Sequence, residues 1–156
     1  MATHIHHQHV DEPIDVLLVD DNPGDVRLTR EAFETARTTV ETELHAVSTG
    51  DEALAALSQS DEYAAVPPPD LVLLDLNLPG HGGCDVLEQI RSDRRLRRLP
   101  VLILTSSADE DDVSRCYTAS ANAYLTKPVD PGEFVSIVEA IDRFWFEQAR
   151  FPPTDR

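Results

Sequence analysis

Three runs of apolar residues, Val16-Leu17-Leu18-Val19, Leu71-Val72-Leu73-Leu74 and Val101-Leu102-Ile103-Leu104, leave no polar position on either side of an extended chain. A strand with one face in water alternates apolar and polar side chains. One that is apolar throughout is covered on both faces, as in a parallel sheet layered between helices. A weaker run at residues 44–47 and a short one at 123–125 read as the remaining strands. Helical patterns fall between the runs, and their starts are marked locally. Asn22-Pro23 sets a capping side chain ahead of a proline, Thr49 with Glu52 and Ser107 with Glu110 have capping-box spacing, and Asp130-Pro131 precedes Glu133. Phe134, Ile137, Val138, Ile141 and Trp145 recur at helical intervals, so the last helix buries one face and is expected to reach Gln148. Strand and helix alternating through short connections predict right-handed crossovers and an α/β, doubly wound, open sheet with helices on both faces.

A chain of 156 residues has room for one core of ordinary size. The expected organisation is a tail at 1–12, a folded domain at 13–149 and a tail at 150–156, with Pro67-Pro68-Pro69 as a stiff connector. No apolar run reaches the roughly 18–20 residues of a membrane span, and the start is polar and His-rich rather than a targeting segment. A soluble, cytoplasmic protein is expected. The formal charge of −16 opposes nucleic acid and anionic lipid surfaces, so neither is an expected partner. Twelve of the 13 basic residues are Arg and one, Lys127, is Lys, a balance that fits an acidic surface kept solvated in high salt. Cys84 and Cys116 lie far apart in sequence without metal or redox spacing and read as ordinary thiols.

In an open α/β sheet, function gathers at the carboxyl ends of the strands. Asp20 and Asp21 follow the first apolar run, Asp75 ends the third, Thr105 the fourth, and Lys127 follows the fifth. Alone, Asp20-Asp21 would pass for a turn or a helix cap, and Lys127-Pro128 for a loop kink. Together they put three carboxylates, a hydroxyl and the chain's only ammonium side chain on one edge. Crowded carboxylates need a positive partner. An oxygen-only donor set favours magnesium, which commonly bridges carboxylate and phosphate oxygens. A carboxylate nucleophile, a hard cation, an ammonium and a hydroxyl are a sufficient kit for phosphoryl transfer, and Asp75 is the best-placed nucleophile.

Val16 to Asp21, Asp75-Leu76-Asn77-Leu78-Pro79 with Gly83 beyond, Thr105-Ser106 and Tyr124-Leu125-Thr126-Lys127-Pro128 resemble the motifs of response-regulator receiver domains, over residues 15–148. The resemblance implies a five-stranded parallel sheet of order 2-1-3-4-5. It further implies that Asp75 accepts a phosphoryl group from a sensor histidine kinase, and that Asp21, Asp75 and the Asn77 backbone carbonyl ligate Mg2+, with Asp20 acting through water. By the same resemblance Lys127 contacts the phosphoryl group, Thr105 swings toward it, Tyr124 repacks inward, and Ser106 keeps the site open. It also implies a cis Lys127–Pro128 bond and roles for Asn77 and Ser107 in setting phosphoryl lifetime.

The stretch Arg27 to Glu31 and the aromatics Phe144, Trp145, Phe146 and Phe151 resemble stand-alone receivers that accompany bacterial phytochrome kinases. This implies a phytochrome-like kinase partner, a homodimer through the last helix and tail, and output by changed contact with an unknown downstream protein. The expected product is a signalling protein rather than an enzyme. Competing readings are a small aspartyl-phosphate phosphohydrolase or phosphotransferase, disfavoured by Asn77 where a second carboxylate is needed, and a non-phosphorylated scaffold of the same fold. A flavodoxin-like cofactor binder is disfavoured by carboxylates where a phosphate cradle belongs. His4, His6, His7 and His9 read as an unliganded tract, and Arg91, Arg94, Arg95, Arg97 and Arg98 as a solvated helix end.

Overall fold

The computed structural model describes residues 13–80, 82–106 and 109–148. The expectations placed on the His-rich start, Ser107, Phe151 and the two tails lie outside these residues. Five strands, β1 (Ile14–Val19), β2 (Thr42–Val47), β3 (Leu71–Leu74), β4 (Val101–Thr105) and β5 (Ala123–Thr126), form one parallel sheet in the order β2-β1-β3-β4-β5. The registers follow directly: Val16 lies beside Leu71, Val72 beside Val101 and Leu102 beside Ala123. Four helices connect the strands, α1 (Pro23–Thr35), α2 (Gly50–Leu57), α3 (Gly83–Ser92) and α4 (Glu110–Thr118), and α5 (Pro131–Ile141) follows β5.

Alternate residues of each central strand enter opposite cores, which is why the runs are apolar without interruption. Leu17, Val19, Val72, Leu74, Val101 and Ile103 pack with Ala53 and Leu57 of α2, Leu87 and Ile90 of α3, and Cys116 of α4. Val16, Leu18, Leu71, Leu73 and Leu102 pack on the other face with Phe33 of α1 and Phe134, Val138 and Ile141 of α5. β2 is an edge strand with one fully buried residue, Val47, and this explains its weaker apolar signal.

The helix starts mostly follow their local chemistry. The Asn22 side chain accepts from the Asp25 N–H, and Thr49 with Glu52 closes a full capping box. Two starts differ. Asp109 caps α4, which starts at Glu110, its side chain accepting from the N–H groups of Asp111 and Asp112. Asp130 stands at the cap position of α5 without a side-chain cap bond. The last helical pattern does reach Gln148, but as α5 followed by a π-helical stretch, Asp142–Gln148. There Asp142, 2% exposed, accepts from the N–H and hydroxyl of Thr39 and ties the chain after α1 to the end of α5. Trp145 and Phe146 pack partly buried against the α1/α5 core, whereas Phe144 is exposed.

Three further side chains depart from expectation. Arg91 is no solvated charge: its guanidinium donates to the carbonyls of Arg97, Leu99 and Ser120 and to Asn122 Oδ1, pinning the loops on either side of β4. Arg94, Arg95, Arg97 and Arg98 are exposed as expected. Cys84 and Cys116, unrelated by spacing, meet in the core between α3 and α4 with their sulfurs 3.0 Å apart. Helix packing brings together what sequence separation hides.

Candidate functional site

Asp20 and Asp75 sit one residue beyond β1 and β3 and still donate in the sheet's direction, Asp20 N–H to Val47 O (3.0 Å) and Asp75 N–H to Val19 O (2.9 Å). Each carboxylate is then held twice. Its Oδ1 accepts from the backbone N–H two residues on, Asn22 for Asp20 (3.0 Å) and Asn77 for Asp75 (3.1 Å). Its Oδ2 faces the Lys127 ammonium, at 2.9 Å from Asp20 and 2.8 Å from Asp75. Such local turns are a habit of Asp side chains, and here they orient two acids toward one cation.

Lys127 leaves β5 with its N–H on Thr105 O (2.7 Å), so the β4–β5 pairing fixes where its side chain starts. The side chain is 7% exposed. A third carboxylate reaches it, Asp25 Oδ2 at 2.8 Å, from the first turn of α1. Sequence reading missed Asp25. An acidic residue in a first turn complements the helix dipole and needs no other explanation; the available signal was its place just after the Asp20-Asp21 pair.

Burial, above all, raises the Asp20 carboxyl above its ordinary value, with the nearby Asp75 charge adding to it, and the Lys127 hydrogen bond only partly offsets this. Burial likewise pulls the Lys127 ammonium down, but the hydrogen bonds it donates to Asp25, Asp75 and Asp20 outweigh this and hold the group charged well above its usual range. One ammonium cannot balance Asp20, Asp21, Asp25 and Asp75. Asp21 is exposed, yet one carboxylate oxygen from each of Asp20, Asp21 and Asp75 lies within 4.8 Å of the others. The donor set is all oxygen, the class that hard divalent cations prefer. These residues fit such a cation.

The remaining expected residues differ in burial, and Tyr124 lies back within the sheet rather than at its carboxyl edge. Thr105 is fully buried at the end of β4 and Ser106 is exposed. Tyr124 is half-buried against the α2/α3 core, paired in register with Ile103. Asn77 is exposed, its N–H on Asp75. Gly83, the first residue of α3, donates to Leu76 O, and a Cβ there would run into the carbonyl oxygen of Asp75 and come within 2.8 Å of Leu76 Cα. Only glycine lets α3 start so close to the acid.

One expectation is overturned. The Lys127–Pro128 bond is trans, as is every peptide bond among the described residues. Trans is the lower-energy X–Pro isomer by about 0.5–1 kcal/mol, and in this form the lysine already reaches all three carboxylates.

Comparison with known proteins bears on the whole assembly. The family model of the response regulator receiver domain matches residues 16–139. Response regulator Rcp1 of Synechocystis is 41% identical over 137 residues, which cover 88% of this chain and 92% of that protein. Among solved structures, the phosphorylated cyanobacterial phytochrome response regulator RcpA superposes with a TM-score of 0.83 at 42% identity, covering 90% of this chain and 99% of that one. The Mn(2+)-bound form of Rcp1 gives 0.81 at 40% identity, covering 90% and 100%.

Proposed function

The chain belongs to the response-regulator receiver family, and on that premise we propose that Asp75 is its phosphoacceptor and a sensor histidine kinase its donor. The observation that carries this is the Lys127 ammonium 2.8 Å from Asp75 Oδ2, beside two further carboxylates that suit a divalent cation. In the transfer, a carboxylate oxygen of Asp75 attacks phosphorus, an O–P bond forms, and the N–P bond to the donor histidine breaks, its electron pair returning to the imidazole. Lys127 holds positive charge against the incoming phosphoryl oxygens, and the Asn77 N–H keeps the carboxylate in place. Asp20, Asp21, Asp75 and the Asn77 backbone carbonyl would hold Mg2+, which supplies charge neutralisation when bound. Support for a divalent ion comes from the Mn(2+)-bound relative.

Signalling then follows from local electrostatics: the added charge recruits Thr105 and Lys127 to the phosphoryl group, the small Ser106 leaves the site open to the donor, and Tyr124 takes up the space released inward. Asn77 and Ser107 set how long the acyl phosphate lasts. Phytochrome response regulators among the relatives favour a phytochrome-type kinase as donor. Exposed Phe144, 57% accessible and edge-on to Trp145, favours a homodimer through the last helix, for which sedimentation with and without a phosphate mimic is the measure. No helix among the described residues is long and apolar enough to cross a membrane.

Acetyl phosphate with magnesium tests the central claim. Intact mass should show one phosphoryl adduct on the wild type, labile to hydroxylamine, and none on Asp75→Asn. An equal adduct on both proteins would move the acceptor elsewhere.

A further inference from the structure

α4 sends a single fully buried side chain into the core, and that side chain is Cys116. Its partner there is Cys84, in the first turn of α3, itself 6% exposed. The sulfurs are 3.0 Å apart, and a disulfide needs about 2.05 Å, so closing the gap takes a shift of about one ångström. Outside the core, α3 and α4 are tied at the surface by Arg115 of α4, which reaches Asp85 at 2.8 Å and Glu88 at 3.5 Å. Exposed pairs of this kind hold little. In the core, α4 meets α3 at two facing thiols.

We propose that Cys84 and Cys116 are a modification site, a dithiol that peroxide converts to an intramolecular disulfide stapling α4 to α3. One sulfur attacks a peroxide oxygen, the O–O bond breaks, and water leaves as that sulfur becomes a sulfenic acid. The second sulfur displaces the sulfenic hydroxyl, the S–S bond forms, and a second water leaves. Both sulfurs are oxidised, both peroxide oxygens are reduced, and the thiol protons end in the two waters. Burial first, then the neighbouring thiol, pushes the Cys116 thiol up to about 12, so at neutral pH it is protonated and sealed. Oxidation then waits on local opening of α4. Once formed, the bond lies in the core, out of reach of reducing thiolates until the same opening recurs. It also starts one residue from Gly83, whose backbone rests on Asp75, so the staple joins the phosphoacceptor end of α3 to the helix beside β5.

Hydrogen peroxide applied to the reduced full chain, followed by alkylation in denaturant and intact mass with peptide mapping, decides the matter. The expected product has lost two hydrogens, escapes alkylation at both cysteines, and yields a Cys84–Cys116 linked peptide pair that dithiothreitol separates. Amide exchange across residues 110–118 should slow by about tenfold in that product. Sulfinic acid on either cysteine, two alkylated thiols, an intermolecular bridge, or unchanged exchange in the linked protein would each overturn it. Cys84→Ser and Cys116→Ser should each abolish the linked pair, and the wild-type map stands if either variant fails to fold. None of these readouts involves Asp75, so they succeed or fail separately from the proposed phosphorylation.

Discussion

Lys127 and Asp25, 102 residues apart in the chain, are joined by a 2.8 Å ion pair that anchors the lysine to α1. The ammonium is thus shared between a helix and two strand-end acids rather than given wholly to Asp75. An arrangement of this kind holds the charge in position before a phosphoryl group arrives, and it makes α1 part of the site.

Asp25→Asn should therefore loosen the lysine without removing a proposed phosphoacceptor or cation ligand. Asp25 is partly exposed, 28% of its side chain, so the pair's worth is discounted for solvent screening to about 0.5–1 kcal/mol. Denaturant unfolding measures the loss. Acetyl phosphate should still label Asp75 in this variant, at a reduced rate.

Lys127→Met keeps the aliphatic stem and deletes the charge, leaving Asp20 and Asp75 buried against each other with no cation. Removing one partner of a buried ion pair costs about 3–5 kcal/mol. Saturating magnesium should restore part of that loss, because a bound divalent ion neutralises the same carboxylates. A variant equally unstable with magnesium and with chelator would show that the acids are not the source of the damage.

Gly83→Ala puts a methyl against the Asp75 carbonyl and Leu76 Cα, backbone that cannot yield without moving the acid. A cost of about 1–3 kcal/mol is expected for such overpacking, with a fall in labelling by acetyl phosphate. Gly82→Ala is the control. A Cβ there meets Leu76 O at an ordinary 3.6 Å and φ is −67°, so stability and labelling should hardly change.

These residues also show what a sequence conveys and what it withholds. The central strands were legible because burial on two faces removes polar residues altogether, and the strand-end acids because the fold class says where strand ends meet. Asp25 was hidden by a sufficient local explanation. The Cys84–Cys116 contact and the Arg91 carbonyl bonds depend on how helices and loops pack, which no spacing along the chain encodes. The cap of α4 was misplaced because Asp109, Glu110, Asp111 and Asp112 offer several nearly equivalent starts. The π-helical stretch after α5 escaped notice because its apolar spacing still reads as helix.

Asp20 and Asp21 should separate stability from cation binding. Asp20 is buried and its carboxyl is raised mainly by desolvation, so the folded state prefers it neutral. A group raised in the folded state stabilises below its unfolded pKa and loses that contribution as pH climbs through the folded one. At neutral pH the charged form is a liability. Asp20→Asn should then raise the thermal midpoint in chelator, because it removes a desolvated charge repelled by Asp75 while Lys127 keeps Asp25 and Asp75 as partners, and it should weaken the stabilisation that magnesium gives. Asp21 is exposed, and Asp21→Asn should leave the stability in chelator within about 0.5 kcal/mol of wild type, with the midpoint hardly moved. In the wild type, a cation that binds only the folded form adds RT ln(1 + [L]/Kd), and the midpoint climbs with its concentration. Both variants should flatten that climb, Asp20→Asn from a higher baseline and Asp21→Asn from an unchanged one. Thermal melts across a magnesium titration read both quantities in one series, and a wild-type-like slope in both variants would remove Asp20 and Asp21 from the cation site.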